Sequence, residues 1–314
     1  MSGADGGLLE ELRPRAFAIA YRMLGSVADA EDVVQEALLR LHRALAAGER
    51  IESPLAFVAT VTTRLAIDEL RSARVRRESY VGEWLPEPLL ADPAPDPAQR
   101  AETADSLSLA FLVLLESLSP EQRAVLLLRD VFDYGYGEIA AVVGTSEVNA
   151  RQLAVRARRH VRERRPRFTA TPEKRDALAK RFFAAALEGD VEALEALLAE
   201  DVVLRGDGGG KVPAITRPVH GRTPVARMLA AWTTHGMRGT GATLREVQVN
   251  GDPGALLLDA GGGLLAVMAL DVADGQVRGV TSIVNPDKLR HLARVGDFRE
   301  FLQRRARRSA GEAR

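Results

Sequence analysis

The 314-residue chain contains no cysteine, so it forms no disulfide and offers no thiolate as nucleophile or metal ligand. Lysine is almost as scarce, with 4 Lys beside 39 Arg, a skew that supplies forked donors suited to phosphates. No apolar stretch approaches the roughly 18 residues that a membrane span needs. The run from Leu107 to Leu115 stops well short. The start, MSGADGG, has neither the basic nor the apolar part of an export signal, and a cytoplasmic chain that meets no membrane is expected. The five histidines, His42, His160, His220, His235 and His291, lack metal-ligand spacing. No GxSxG elbow occurs. Gly210-Lys211 is not a phosphate loop, because Arg205 stands where that motif needs glycine and Val212 where it needs Ser or Thr. No metal, cofactor or catalytic residue is therefore expected.

Charge is present but segregated. The formal net charge of zero hides a segment, Ser146 to Arg167, where eight Arg face only Glu147 and Glu163, a net +6. From Glu83 to Asp105 six acids face one base, Arg100, a net −5. A polyanion-binding element beside an acidic tether is the simplest reading.

Periodicity divides the chain into blocks. Residues 8–78 read as all helix. Ser26 or Asp29 can cap a helix whose apolar Ala30, Val33, Val34, Ala37, Leu38 and Leu41 recur at i, i+3, i+4, and Gly48 ends it. Ser53-Pro54 then opens a helix running through Leu70. Residues 79–104 form a linker in which Pro86, Pro88, Pro93, Pro95 and Pro97 exclude a continuous helix. Helix returns over 105–168. Residues 171–295 change character. Two helices, opened by Thr171-Pro172 and Asp190, precede strand-like runs at 243–249, 255–258, 264–272 and 276–284. Residues 296–314 read as a basic tail.

The segment from Leu118 to Arg165 carries the strongest signal. Ser119-Pro120-Glu121 starts one helix, Tyr136 to Val143 forms a short second, Gly144-Thr145 turns tightly, and Ser146 caps a third. Helix, short turn and helix are the parts of a DNA-binding helix-turn-helix. On the last helix Val148, Leu153 with Val155, and Val161 are expected to pack inward. Glu147, Asn149, Arg151, Gln152 and Arg156 are left for base edges and phosphates, while Arg158, Arg159 and Arg162 suit phosphates.

DAEDVVQEALLRLHR (Asp29 to Arg43) and RLAIDELRSARVRRE (Arg64 to Glu78), followed by this block, resemble the extracytoplasmic-function sigma factors. These keep region 2 and region 4 joined by a linker, and the resemblance covers residues 8–78 and 105–168. It implies core RNA polymerase and promoter DNA as partners. Asp32, Gln35, Glu36, Arg40 and Arg43 would dock on the β′ clamp helices, with the β flap as a second polymerase contact. Ser53, Thr60, Thr63, Arg64 and Arg71 would face the −10 element, although Arg64 stands where the wider group usually has Asn. Ser146, Glu147, Asn149, Arg151, Gln152, Arg156, Arg158 and Arg159 would face the −35 element.

Three further motifs, YVGEWLPEPL (Tyr80 to Leu89), DGGGK (Asp207 to Lys211) and NPDKL (Asn285 to Leu289), resemble the subgroup with a fused SnoaL-like extension. The fold expected is therefore multidomain: two all-α sigma domains, a region 2 bundle and a region 4 helix-turn-helix, plus a C-terminal α+β SnoaL-like cone. In that subgroup the extension acts as a built-in regulator, so no separate anti-sigma factor is expected. Trp84 and Leu85 are costly to leave in water, Pro86 and Pro88 stiffen the peptide, and three glycines permit close backbone approach. Trp84, Leu85, Pro86, Glu87 and Pro88 are thus expected to dock near Asp207, Gly208, Gly209, Gly210 and Lys211 and the turn of Asn285, Pro286, Asp287 and Lys288.

Two alternatives stay open. One is a SnoaL-like enzyme or small-ligand sensor, with Asp207, His220, His235 and Asp271 as candidates, carried on a DNA-binding module. The other is a helix-turn-helix repressor that never meets polymerase, for which the polar face of Asp29 to Arg43 would have no purpose.

Overall fold

The rhythm of the first block is realised as three helices, α1 (Gly3–Leu24), α2 (Val27–Ala46) and α3 (Pro54–Glu78). The computed structural model describes residues 3–90, 106–162, 171–237 and 240–303. Ser26 Oγ accepts the Asp29 N–H at 3.2 Å and caps α2. All six residues of the apolar stripe are buried, together with Ala44. Gly48 takes φ +78° just past the end. Ser53 Oγ accepts the Ala56 N–H at 3.2 Å, which opens α3. That helix continues past Leu70 to Glu78.

The second helical block contains α4 (Leu109–Leu115), α5 (Pro120–Asp130), α6 (Tyr136–Val143) and α7 (Glu147–Arg162). Ser119 and Gln122 form a reciprocal capping box at α5, at 3.2 and 3.0 Å. Gly144 sits at φ +74°, the left-handed conformation that ends α6 and turns the chain into α7. Val125, Leu128, Ile139, Val142, Ala150 and Ala154 form the shared core of α5, α6 and α7.

The described residues up to Ser79 and from Leu112 to Arg162 form one compact unit. Arg123 ties its two blocks together. At 2% exposure it donates to Leu115 O (3.0 Å), to Met23 O at the end of α1 (2.6 Å) and to Glu116 (2.8 Å). A buried guanidinium is tolerable only with such partners. Arg15 of α1 lies 4.6 Å from the Phe132 ring and donates to Phe132 O at 3.2 Å.

The second unit comprises the described residues of Tyr80–Phe111 and those from Thr171 on. Its helices α8 (Pro172–Glu188), α9 (Val191–Leu197) and α10 (Arg222–Gly236) accompany β1 (Leu198–Asp207), β2 (Val219–His220), β3 (Thr243–Val249), β4 (Asp252–Leu258), β5 (Leu264–Ala273) and β6 (Gln276–Ile283). The sheet order is β2-β1-β6-β5-β4-β3, with β1 parallel to β6 and every other pairing antiparallel. Asp190 caps α9 by accepting the Ala193 N–H at 2.9 Å. Phe182 and Phe183, edge to face at 5.4 Å, anchor the core between helices and sheet.

Two expectations are corrected here. The strand β1 lies where none was expected, immediately after α9. Residues 298–303 are not a solvated tail, because Phe298 and Phe301 are buried against Leu257, Leu265, Ala266 and Val284. Trp232 of α10 lies 6.0 Å from Phe298. Residues 304–314 and 91–105 lie outside the described residues.

Candidate nucleic-acid interface

Ser146 Oγ accepts the Asn149 N–H at 3.2 Å and caps α7. The buried face of α7 consists of Ala150, Ala154 and Ala157, so small residues let α7 lie close to α5 and α6. Val148 and Val155 are not part of it. They are 67% and 64% exposed, which corrects the expected inward face. Glu147, Asn149, Arg151, Gln152, Arg156 and Arg159 are exposed as expected. Several are held in place by local bonds. Asn149 donates to Thr145 Oγ1 at 2.7 Å, and Arg151 pairs with Glu147 one turn back while lying 4.6 Å from the Tyr136 ring. Arg158 is bound differently: its guanidinium grips Asp130 of α5, with Nε to Oδ2 at 2.9 Å. The hydrogen bond to Asp130 raises the Arg158 pKa further above its ordinary value. Arg158 therefore fastens α7 to α5.

The residues expected at the −10 element divide. Ser53 is an N-cap. Thr63 is fully buried and its hydroxyl donates to Ala59 O at 2.8 Å, while Thr60 donates to Ala56 O at 2.8 Å. Both hydroxyls satisfy their own helix, and the burial of Thr63 corrects the expectation that it projects, while Thr60 stays half-buried. Arg64 and Arg71 do project, onto the second helical block. Arg64 donates to Val142 O (3.0 Å) and Ala141 O (2.8 Å), the last carbonyls of α6, where a cation also complements the helix dipole. Arg71 donates to Glu121 of α5 (2.8 Å) and to Asp68 (3.2 Å). Burial works against the Glu121 carboxylate, yet the hydrogen bonds from Arg71, the backbone and Ser119 hold its pKa below the ordinary value.

Asp32, Gln35, Glu36, Arg40 and Arg43 lie on the face of α2 away from the core, with Glu36 and Arg40 paired at 2.7 Å. Asp29, Asp32 and Glu36 share an open cleft of about 610 Å³ with Asp68 and Glu69 of α3. The two α3 acids were missed in the sequence. Their spacing from α2 is a tertiary fact that no local pattern carries.

The linker motif lies across the second unit. Asp207 at the end of β1 accepts from Tyr80 Oη (2.6 Å), the Leu85 N–H (2.9 Å), the Gly209 N–H (3.0 Å) and Lys288 Nζ (2.7 Å). Lys288, 5% exposed, also donates to Leu85 O and lies 4.0 Å from the Trp84 ring and 5.2 Å from the Tyr80 ring. Asn285 Nδ2 donates to Tyr80 Oη at 2.9 Å. Burial and the bond to Asp207 push the Tyr80 phenol well above its usual pKa, so it stays a donor at any ordinary pH. Leu85 is fully buried. Glu83 pairs with Arg205, His291 bonds Pro88 O at 2.8 Å, and Leu89 exchanges bonds with Asn250 at 2.7 and 2.8 Å. Lys211 pairs with Asp287. Gly209, at φ +59°, faces Asn285 so closely that a Cβ would come within 2.3 Å of its amide. The motifs from three distant stretches thus form one site. Glu83 belongs to the linker motif, whereas Arg205, Asn250 and His291 joined the site without any sequence signal.

The interior of the sheet domain holds a cavity of about 50 Å³ lined by apolar side chains that include Phe183, Met228, Trp232 and Met268. Asp207, His220 and Asp271 do not line it, and the side chain of His235 lies outside the described residues. Among the described residues there is no cluster of metal-ligating side chains, and no helix is long and apolar enough to cross a membrane.

Family models match the chain in three places: Sigma-70 region 2 over residues 8–76, Sigma-70 region 4 over 108–161 and the SnoaL-like domain over 179–283. The chain belongs to the ECF RNA polymerase sigma factors. It is 39% identical to the ECF RNA polymerase sigma factor SigJ of Mycobacterium tuberculosis over 89% of this chain and 91% of SigJ. With the probable ECF sigma factor SigI of the same species the figures are 32%, 86% and 90%. The crystal structure of M. tuberculosis SigJ matches with a TM-score of 0.73 at 36% identity, covering 90% of this chain and 98% of that one. The protein is a sigma factor, which works with core RNA polymerase on promoter DNA, and a SnoaL-like domain is fused at its C-terminus.

Proposed function

We propose that this sigma factor is regulated in cis, through the clasp that its SnoaL-like domain makes on the linker. The observation that carries the reading is Asp207, whose carboxylate takes the Tyr80 hydroxyl, the Leu85 amide and the Lys288 ammonium together. A linker fastened at so many points has a restricted reach, and the reach of the linker sets how far regions 2 and 4 can separate toward the two promoter elements. A separate anti-sigma protein is then unnecessary. Trp84→Ala removes one face of the Lys288 cage, a contact of about 0.5–2 kcal/mol, and should raise promoter output two- to fivefold in transcription with core polymerase. Unchanged output together with unchanged domain spacing in solution scattering would count against the clasp.

In the same reading the exposed face of α2, with Asp32, Gln35, Glu36, Arg40 and Arg43, docks on the β′ clamp helices, and its acidic cleft accepts basic side chains. Region 4 engages the β flap and places α7 at the −35 element. Arg64 and Arg71 serve the −10 element only after leaving region 4, which makes the packed helical unit a resting state. Glu121→Gln frees Arg71 without touching a DNA-facing residue. An exposed ion pair contributes about 0.2–1 kcal/mol, so open-complex formation should rise by no more than about fivefold. A fall in open-complex formation would refute this resting state.

We infer that the SnoaL-like domain is not catalytic. Asp207, its best-placed carboxylate, is committed to the clasp. The apolar cavity, at about 50 Å³, is far below the roughly 300 Å³ at which sites for drug-sized ligands begin. A small ligand would have to enlarge it.

A further inference from the structure

The two most exposed large apolar side chains among the described residues, Val148 at 67% and Val155 at 64%, both stand on the recognition helix α7. They lie on one side of it. At 100° per residue Val148, Gln152, Val155 and Arg159 fall within about 60° of one another, directly opposite Ala150, Ala154 and Ala157. Among the described residues both valines stay exposed, and the residues beside them, Arg151, Arg156 and Arg162, are exposed cations suited to phosphates. A β-branched apolar pair lowers helix propensity and wins nothing by facing water. The major groove offers one apolar group to such a side chain, the thymine C5-methyl.

We propose that Val148 and Val155 are specificity residues of the −35 contact, each packing on a thymine methyl. The proposal rests on the reading of α7 as the −35 helix and adds the base chemistry that this helix selects. Seven residues at 1.5 Å rise separate the two by about 10.5 Å, which spans about three base pairs at 3.4 Å each. Thymines, on either strand, are therefore expected at two positions about three base pairs apart. Gln152, between the valines, would face an intervening pair.

The test uses holoenzyme assembled from the full chain and core polymerase. Duplexes randomised over the −35 segment are selected for binding, and each thymine in the selected sequence is then replaced by deoxyuridine, which lacks only the methyl. Loss of one buried methyl should weaken binding about three- to fivefold at two positions. In Val148→Ala one of these penalties should vanish, and in Val155→Ala the other, while Val148→Ile keeps both. These positions are exposed, so circular dichroism and thermal melting should match the parent. Deoxyuridine tolerated everywhere, or equal penalties in parent and alanine variants, would overturn the valine assignment and leave the promoter reading intact. Selection of no sequence at all would overturn both.

Discussion

Asp207→Ala should release the linker from the SnoaL-like domain and leave Lys288 as a buried cation without its counter-charge. Lys288 is 5% exposed and its partner carboxylate 1% exposed, so no water stands ready to replace the lost bond. Breaking a buried ion pair by removing one partner costs about 3–5 kcal/mol, chiefly because the survivor stays buried and uncompensated. The same change strips acceptors from Tyr80 Oη and the Leu85 N–H, whose remaining partners cannot substitute for a carboxylate. Hydrogen exchange reads the effect directly. The Leu85 and Leu89 amides should exchange about two to three orders of magnitude faster than in the parent, since each 1.4 kcal/mol is a factor of ten. Amides of β4 and β5 serve as the internal control for a domain that remains folded. Asp207→Ala combined with Lys288→Met, which removes both charges at similar volume, should recover much of the loss. Exchange at Leu85 that stays at the parental rate in Asp207→Ala would show that the clasp is not held by this pair. Shortening the chain after Asn285 removes Lys288 and His291 together with the buried Phe298 and Phe301, and transcription should rise as in Trp84→Ala. Removal of everything after residue 168 is a different change, because the linker then has no domain to organise it, and impaired activity is expected.

Much of this was readable from local chemistry. The stripe of α2, the caps at Ser26, Ser53, Ser119, Ser146 and Asp190, and the turn at Gly144 are short-range rules, and the structure follows them. Strand β1 escaped because Glu200 and Asp201 interrupt its alternation, and its main partner is β6, paired in parallel some 75 residues onward. The inward face of α7 was misjudged by ranking hydrophobicity above size. Valines were assigned to the core where close helix packing selects alanines, and the valines stand outside. Thr63 carries a hydroxyl suited to DNA, yet on a helix a threonine can turn inward and satisfy its own backbone, as Thr63 does with Ala59 O. The clasp was legible as three motifs that lacked another purpose. Its chemistry was not, since nothing local shows that Lys288 is buried or that Asp207 gathers donors from residues 80 and 85.

Arg123→Leu should separate stability from activity in the helical unit. In the packed state Arg123 reaches Leu115 O, Met23 O and Glu116, and its side chain is 3% exposed. Leucine fills part of the space and satisfies none of the three. Leu115 O keeps the Leu118 N–H at 3.0 Å, whereas Met23 O loses the Arg123 donor, and a buried acceptor left without a donor costs about 1–3 kcal/mol. The first is internal to region 4. The second, Met23 O, closes the end of α1, so the bond to it is the part that opposes separation of region 2 from region 4. If the packed unit is a resting state that holds Arg64 and Arg71 away from DNA, its loosening should lower the melting temperature of the helical unit and at the same time raise open-complex formation at temperatures where the variant is folded. A merely structural arginine would lower both. The same two measurements on Arg123→Lys, which keeps the charge but cannot fork to three acceptors, should fall between parent and Arg123→Leu on each axis. Melting and transcription that decline together in both variants would identify the packed arrangement as the working form of the protein and remove the resting state from the mechanism.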